Sequence, residues 1–279
     1  MNVGLTIASF AYHDVADDRT TSGFQRPAAL PYKLTCRAFR EHLDGFAAGP
    51  CAPTLVDAID WTRPGRHLLL TFDDGGKSAL YAGEQLCQRG WRGHFFIITS
   101  RIGTRTFLDA GEIRYLRSCG HMLGSHSHTH PDIFREQPAD QMAEEWRVSC
   151  DVLAALLGEP CASAAVPGGD SSRAVLQAAA AVGLRYLFTS DSWLRPWRAD
   201  GCWVLGRFAP KVGTSPRRVQ QLAQFHGWVR ARAVQEVKAL ARRALSPVYR
   251  WHVARTTRDW ISPEPGGPPA TTAARRRAC

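Results

Sequence analysis

Short apolar runs alternate with amphipathic segments through the first two hundred residues. Nothing else in the chain restricts its fold as strongly. The runs "VGLTIASFAY", "HLLLTF", "GHFFIIT", "HMLGSH", "ASAAVP", "LRYLFT" and "CWVLGRFAP" read as strands. Between them, "TCRAFREHLDGF" has Phe39, Leu43 and Phe46 on one side and Thr35 as N-cap. Further helices read over "GKSALYAGEQLCQRG", "DAGEIRYLRSCG", "ADQMAEEWRVSCDVLAALLG" and "SSRAVLQAAAAVG", three of them closed by Gly90, Gly120 and Gly158. Strand–helix alternation implies parallel βαβ units. About seven of them suit a closed or nearly closed (β/α) barrel better than an open sheet, so the fold class expected is α/β.

In such barrels chemistry sits on loops at the C-terminal ends of the strands. The polar clusters fall there: "TFDDGG" after "HLLL", "SHTHPD" after "HMLG", "PGGD" after "ASAAV" and "SDSW" after "YLFT". His126 and His130 are four apart, a spacing at which two imidazoles can face one point, in a helix or a tight turn. Two neutral nitrogens want an anionic third ligand to make an open divalent-cation site. Asp73 and Asp74 end a strand just before Gly75 and Gly76, and neighbouring strand residues point to opposite faces. One carboxylate can therefore hold metal while the other stays free as a base. Two solvated turn acids beside a histidine-rich loop are the bland alternative, and Asp-Asp-Gly alone often means that.

The order TFDDG, GHFFIIT, GSHSHTHPDI resembles the polysaccharide deacetylase family, the NodB-homology domain of carbohydrate esterase family 4, over about Val3 to Phe208. "YHD", Tyr12 to Asp14, also resembles the start of the poly-N-acetylglucosamine deacetylase branch. The resemblance implies a distorted (β/α)7 barrel that removes N-acetyl, or sometimes O-acetyl, groups from sugars with a divalent metal, commonly zinc (Zn2+). By position, Asp74, His126 and His130 resemble the metal triad and Asp73 the catalytic base. The metal would polarise the amide carbonyl and acidify a water. "VPGG" falls at the family's third motif, so the amide of Gly168 is the expected oxyanion donor, with Pro167 and Gly169 as substrate contacts. Trp193 reads as a substrate wall or, about equally, as a core residue.

Two family features have no match. The third motif begins with an arginine where this chain has Ala165, so something else must orient Asp73; Asp170 and Arg185 are weak candidates. The late Leu-x-His motif, which supplies the general acid, is also missing. After His130 only His226 and His252 remain, and "AQFHGW" reads as helix. His128 and His13 are candidates for the acid, although His128, two residues from each expected ligand, reads first as a neighbouring or surface residue. Water on the metal or another acid would also serve. Two other readings stay open: a C–N hydrolase of a non-sugar amide, and a catalytically silent saccharide-binding or scaffold domain.

Charge separates the chain into parts. From Arg207 onward 15 basic residues face 3 acidic ones, a net of +12, while residues 1–206 carry −2. The expected organisation is a barrel over residues 1–210, a basic helical extension over 211–262 beginning at Ser215 and Pro216, and a Pro/Gly-rich disordered tail over 263–279. The plain reading of the extension is a pair of amphipathic helices packed on the barrel bottom through Val219, Leu222, Val234, Val237 and Leu240. The sharper one is attachment to an anionic membrane surface, bringing the site to lipid-linked saccharides. No nucleic-acid recognition motif accompanies the charge. The N-terminus lacks the basic segment of a signal peptide, no apolar run is long enough to span a bilayer, and eight cysteines form no CxxC. A cytoplasmic protein is expected, with contact to a membrane from inside as the sharper alternative.

Overall fold

Seven parallel strands make the wall of the barrel: β1 (Leu5–Tyr12), β2 (Gly65–Phe72), β3 (His94–Ile97), β4 (Met122–Ser125), β5 (Ser163–Ala165), β6 (Tyr186–Phe188) and, after an edge strand, β8 (Cys202–Leu205). This computed structural model describes residues 4–259. The sheet order is β1-β2-β3-β4-β5-β6-β8-β7, with β7 (Trp197–Ala199) antiparallel to β8. The sheet curls until a single parallel bridge, Phe10 to Phe208, brings the segment beyond β8 back to β1. Two hydrogen bonds close it: Ala11 N–H to the Phe208 carbonyl and Phe208 N–H to the Ser9 carbonyl, both 2.9 Å. The barrel of about seven units expected from the alternation, with the distortion that the resemblance implies, is the architecture found.

Helices α1 (Cys36–Ala47), α2 (Ala79–Cys87), α3 (Ala110–Ser118), α4 (Ala139–Leu157) and α5 (Arg173–Ala181) match the expected segments. Thr35 caps α1 by accepting from the Ala38 amide. The barrel wall and α1 share one cluster around Phe10, Tyr12, Phe39, Leu43 and Phe72. β7 was not anticipated. Its signal is Asp200-Gly201, both at positive φ (48° and 89°), the two-residue turn that joins a tight hairpin.

Side-chain alternation along the strands matters most for the site. Leu5 and Ile7 of β1, Leu69 of β2, Phe96 of β3, Ala165 of β5, Phe188 of β6 and Leu205 of β8 share a separate buried cluster, the lumen of the barrel. Val56, Ile59 and Trp61 join it. Counting on by two from Leu69 gives Thr71 and Asp73; from Leu205 it gives Arg207. All three are buried. The lumen is apolar below and charged towards the C-terminal ends of the strands.

The extension forms α6 (Pro216–Ala223), α7 (Trp228–Ala244) and α8 (Ser246–Thr256). Ser215 caps α6, and Val219 and Leu222 are fully buried in the outer core. "AQFHGW" is not one helix: positive φ at Phe225 (65°) and Gly227 (77°) breaks the chain between α6, which ends at Ala223, and α7, which begins at Trp228. Nor do α7 and α8 sit on the barrel bottom. Val234 lines the cavity at the opposite end, and Val237 and Leu240 are exposed. The Pro/Gly-rich tail over 263–279 lies outside the described residues. No described helix is long and apolar enough to cross a membrane.

Candidate active site

Asp73 leaves β2 pointing into the lumen, its amide held by the Tyr12 carbonyl at 2.9 Å. Its carboxylate meets Arg207 in a two-pronged pair: Nη1 to Oδ1 at 2.7 Å and Nη2 to Oδ2 at 2.9 Å. Arg207 is fully buried. Its Nη1 also donates to Thr71 Oγ1 at 2.9 Å and its Nε to the Thr189 carbonyl at 3.0 Å. The guanidinium lies 5.8 Å from the Phe96 ring centre and 5.9 Å from that of Phe188. Burial pushes the Asp73 carboxyl up, but the Arg207 charge, with His126 and His13, outweighs it and holds the group below its ordinary range. Neither Asp170 nor Arg185 orients Asp73. Asp170 pairs with Arg135 at 3.5 Å, and Arg185 is exposed beside Tyr186. Ala165 presents only a methyl group to the lumen, and the arginine enters from β8 instead. An arginine two residues beyond an inward apolar strand position, at the end where the other strands carry polar groups, was the available signal.

Asp74 turns away because its φ is +74°, in the left-handed region. Its Oδ1 lies 3.4 Å from His126 Nε2 and 3.8 Å from His130 Nε2. One ligand atom from each of the three groups lies within 4.8 Å of the others. The two histidines meet across a tight turn rather than a helix, with Ser127 (φ 64°) and His130 (φ 58°) bending the chain and the His130 amide donating to Ser127 Oγ at 3.0 Å. His126 Nδ1 meets the Ala165 carbonyl at 2.9 Å, which aims Nε2 at Asp74. Burial and then the charge of His126 push the His130 imidazole down to about 3, so it is neutral near pH 7. Burial raises the Asp74 carboxyl, yet the hydrogen bond from His126 and the charges of His13 and His130 hold it well below the usual range.

An anionic oxygen and two imidazole nitrogens facing one point fit a divalent cation. Bonds of about 2.0–2.1 Å at tetrahedral angles would set ligand atoms roughly 3.4 Å apart, near the 3.4 and 3.8 Å between Asp74 Oδ1 and the two imidazole nitrogens. Without an ion, the two carboxylates overcome burial and raise the His126 imidazole, favouring a proton on the nitrogen that would otherwise be a ligand.

These groups line a cavity of about 790 Å³ at the C-terminal end of the barrel. His13 lines it too, at the end of β1. Its ring stands 4.7 Å from that of Tyr32, and its buried Nδ1 has no hydrogen-bond partner among the described residues. His128 is not brought here. Its Nδ1 meets Thr99 Oγ1 at 2.9 Å and its ring faces a separate groove against α4, with Gln141 and Glu145. Gly168 and Gly169 line the cavity, both at positive φ (68° and 75°); a side chain on Gly169 would overlap Ser190. Pro167 is buried behind them. Trp193 does not line the cavity; it lies under Arg232 of α7, 3.5 Å from guanidinium carbon to ring centre. From the extension, Val234 and Gln235 of α7 and Tyr249 and His252 of α8 complete the wall, while His226 does not. Gln235 Oε1 accepts from Ser192 N and Oγ at 3.1 and 2.9 Å, and its amide donates to the Ser190 carbonyl.

Residues 61–187 match the family model described as Polysaccharide deacetylase. This segment, a little under half of the chain, is similar to polysaccharide deacetylases. The match spans β2 to β6 and includes Asp73, Asp74, His126 and His130, leaving His13 and Arg207 to the flanking strands. No curated protein matches the chain closely. Among solved structures, IcaB from Ammonifex degensii is 21% identical with a TM-score of 0.67, over 79% of this chain and 98% of that one. The Streptococcus pyogenes deacetylase PplD is 19% identical at 0.66, over 79% and 99%. The de-N-acetylase from Aggregatibacter actinomycetemcomitans is 14% identical at 0.64, over 78% and 99%. Likeness at these identities concerns the fold.

Proposed function

We propose that this chain is a metal-dependent hydrolase that removes N-acetyl groups from an amino sugar or saccharide. One observation carries the reading: a buried carboxylate clamped by arginine, Asp73, stands beside the Asp74, His126 and His130 cluster in one open cavity. When bound, a divalent ion, zinc by its donor set, supplies Lewis acidity to the amide carbonyl and acidity to a water. Asp73 is the base. Both of its oxygens accept from Arg207, and each keeps a second lone pair to take the proton of the attacking water. The clamp also fixes the direction of that lone pair. The Gly168 amide is the donor for the developing oxyanion, while Pro167 and Gly169 shape the approach. Of the two histidines considered for the leaving amine, His13 has the position: it lines the cavity, and its buried Nδ1 has no hydrogen-bond partner among the described residues.

Residues 1–210 are read as the catalytic unit and 211–262 as a helical extension across its mouth. The saccharide is read as lipid-borne and met from the cytoplasmic side of a membrane, with the basic extension as support. Acetate release from a panel of N-acetylated saccharides by zinc-loaded protein tests the chemistry. Release that disappears on chelation and returns with metal is expected. No release across a broad panel would refute the deacetylase reading, and release only from non-sugar amides would replace its substrate.

A further inference from the structure

The extension has a second face. On α7, Ala231, Val234 and Gln235 line the cavity, whereas Val229, Val237 and Leu240 stand roughly half a turn away and are 84%, 66% and 64% exposed. On α8, Tyr249, His252 and Thr256 line the cavity, while Val248 and Trp251 lie to one side, 59% and 61% exposed. Arg255 lies one turn along from Trp251, its guanidinium 5.5 Å from that ring. Seven of the eleven large exposed hydrophobic side chains among the described residues fall between Val229 and Trp251, so the exposure is local.

Charge bears on what would cover this face. Residues 228–259 hold eight basic residues and two acidic ones, a net of +6. Both acids are engaged, Glu236 with Arg232 at 2.7 Å and Asp259 with Arg101 at 3.8 Å. A second copy of the same face would bring like charges together. An anionic bilayer suits it: aliphatic side chains and tryptophan enter the headgroup boundary while arginines meet lipid phosphates.

The inner face is tied to the barrel. Gln235 holds the loop after β6, Arg250 pairs with Glu136 at 2.9 Å, and Thr257 Oγ1 donates to Asp132 at 2.8 Å. We propose that α7 and α8 seat the protein on an anionic lipid surface by their outer face, so that the cavity they wall opens beside the bilayer and takes a saccharide attached to a membrane lipid. The inference rests on the deacetylase reading for its chemistry, but not for the surface itself.

Co-sedimentation of the full chain with vesicles tests it. Binding to phosphatidylglycerol–phosphatidylcholine vesicles is expected, with little to phosphatidylcholine alone and weakening as salt rises. Each arginine removed from the outer face costs about fivefold in partitioning, so Arg230→Gln with Arg255→Gln should lose roughly 25-fold. Val248→Ser with Trp251→Ser should weaken binding further while leaving acetate release from a soluble saccharide unchanged. None of these four residues lines the cavity.

Equal binding to both vesicle types, no binding to either, or variants that bind like the parent would overturn the membrane seat. So would sedimentation velocity showing that Val248→Ser/Trp251→Ser converts a dimer to a monomer without altering vesicle binding. Vesicle binding without acetate release would instead leave the seat standing and remove the deacetylase reading. Circular dichroism of the variants excludes unfolding as the cause of lost binding.

Discussion

Replacing Arg207 with methionine keeps much of its volume and removes its charge. The guanidinium makes four hydrogen bonds in the lumen, two of them to Asp73. Without it the Asp73 carboxylate is buried and unpaired, and Thr71 Oγ1 and the Thr189 carbonyl lose a donor. Breaking one side of a buried pair costs about 3–5 kcal/mol. At about 2–4 °C per kcal/mol for a domain of this size, melting should fall by roughly 6–20 °C near neutral pH. The pH dependence separates this cause from simple loss of packing. In the parent protein the folded carboxyl is held below its unfolded value, so the pair's stabilisation is full above the unfolded carboxyl pKa and lost as pH falls through the folded one. In Arg207→Met only His126 and His13 still oppose burial, so the folded pKa rises and the stabilisation at neutral pH is lost. The deficit is greatest at neutral pH and shrinks on acidification, and the acidic limb of acetate release moves upward. Melts of chelator-treated protein across pH 4–8, with Arg207→Lys as the charge-retaining control, read both effects. A constant deficit at every pH, with an unmoved acidic limb, would refute the clamp.

His94 Nε2 accepts from the Val56 amide at 3.0 Å, and burial, the largest cause, pushes its imidazole down to about 4. Stability present above the unfolded histidine pKa should therefore be lost as pH falls from about 6.5 towards 4, and His94→Gln should flatten urea midpoints across that window; an unchanged slope would contradict it. Gly168→Ala has open space around its new methyl and should cost about 1 kcal/mol, whereas Gly169→Ala would run into Ser190 and should cost clearly more, as denaturant titration can compare. His13→Gln should lower kcat while metal content stays near that of the parent, and His128→Gln should leave kcat nearly unchanged. The reverse pattern would move the general acid to the α4 side.

Much of this arrangement was readable in advance because it is periodic or local. Alternating apolar runs marked the strands, Thr35 and Ser215 marked helix starts, and Asp74, His126 and His130 came together from two short motifs. What escaped notice depends on tertiary closure. Arg207 lies 134 positions from Asp73 in the chain and becomes its partner only when the seam brings β8 round to β1. That His128 stands apart from its neighbours was legible from the spacing, but the positive φ at Ser127 and His130 that turns it away was not. The site of the extension was misread because an amphipathic helix shows that it has an apolar face, but not which end of a barrel that face will meet. Asp200-Gly201, in contrast, was a local signal that went unused.

The bridge between Phe10 and Phe208 therefore has a consequence for inactivation. This part of the barrel's closure is a contact next to the residue that holds Asp73, while Ile7 N–H ties β1 separately to the Leu194 carbonyl at 2.7 Å. A slight parting there leaves helices and most strand pairing in place, yet frees Arg207 to lose its register with the carboxylate. Mild denaturant should extinguish turnover before circular dichroism changes, and amide exchange at Ala11 and Phe208 should report the early event. The stitch that completes the fold is also the neighbour of the clamp on Asp73.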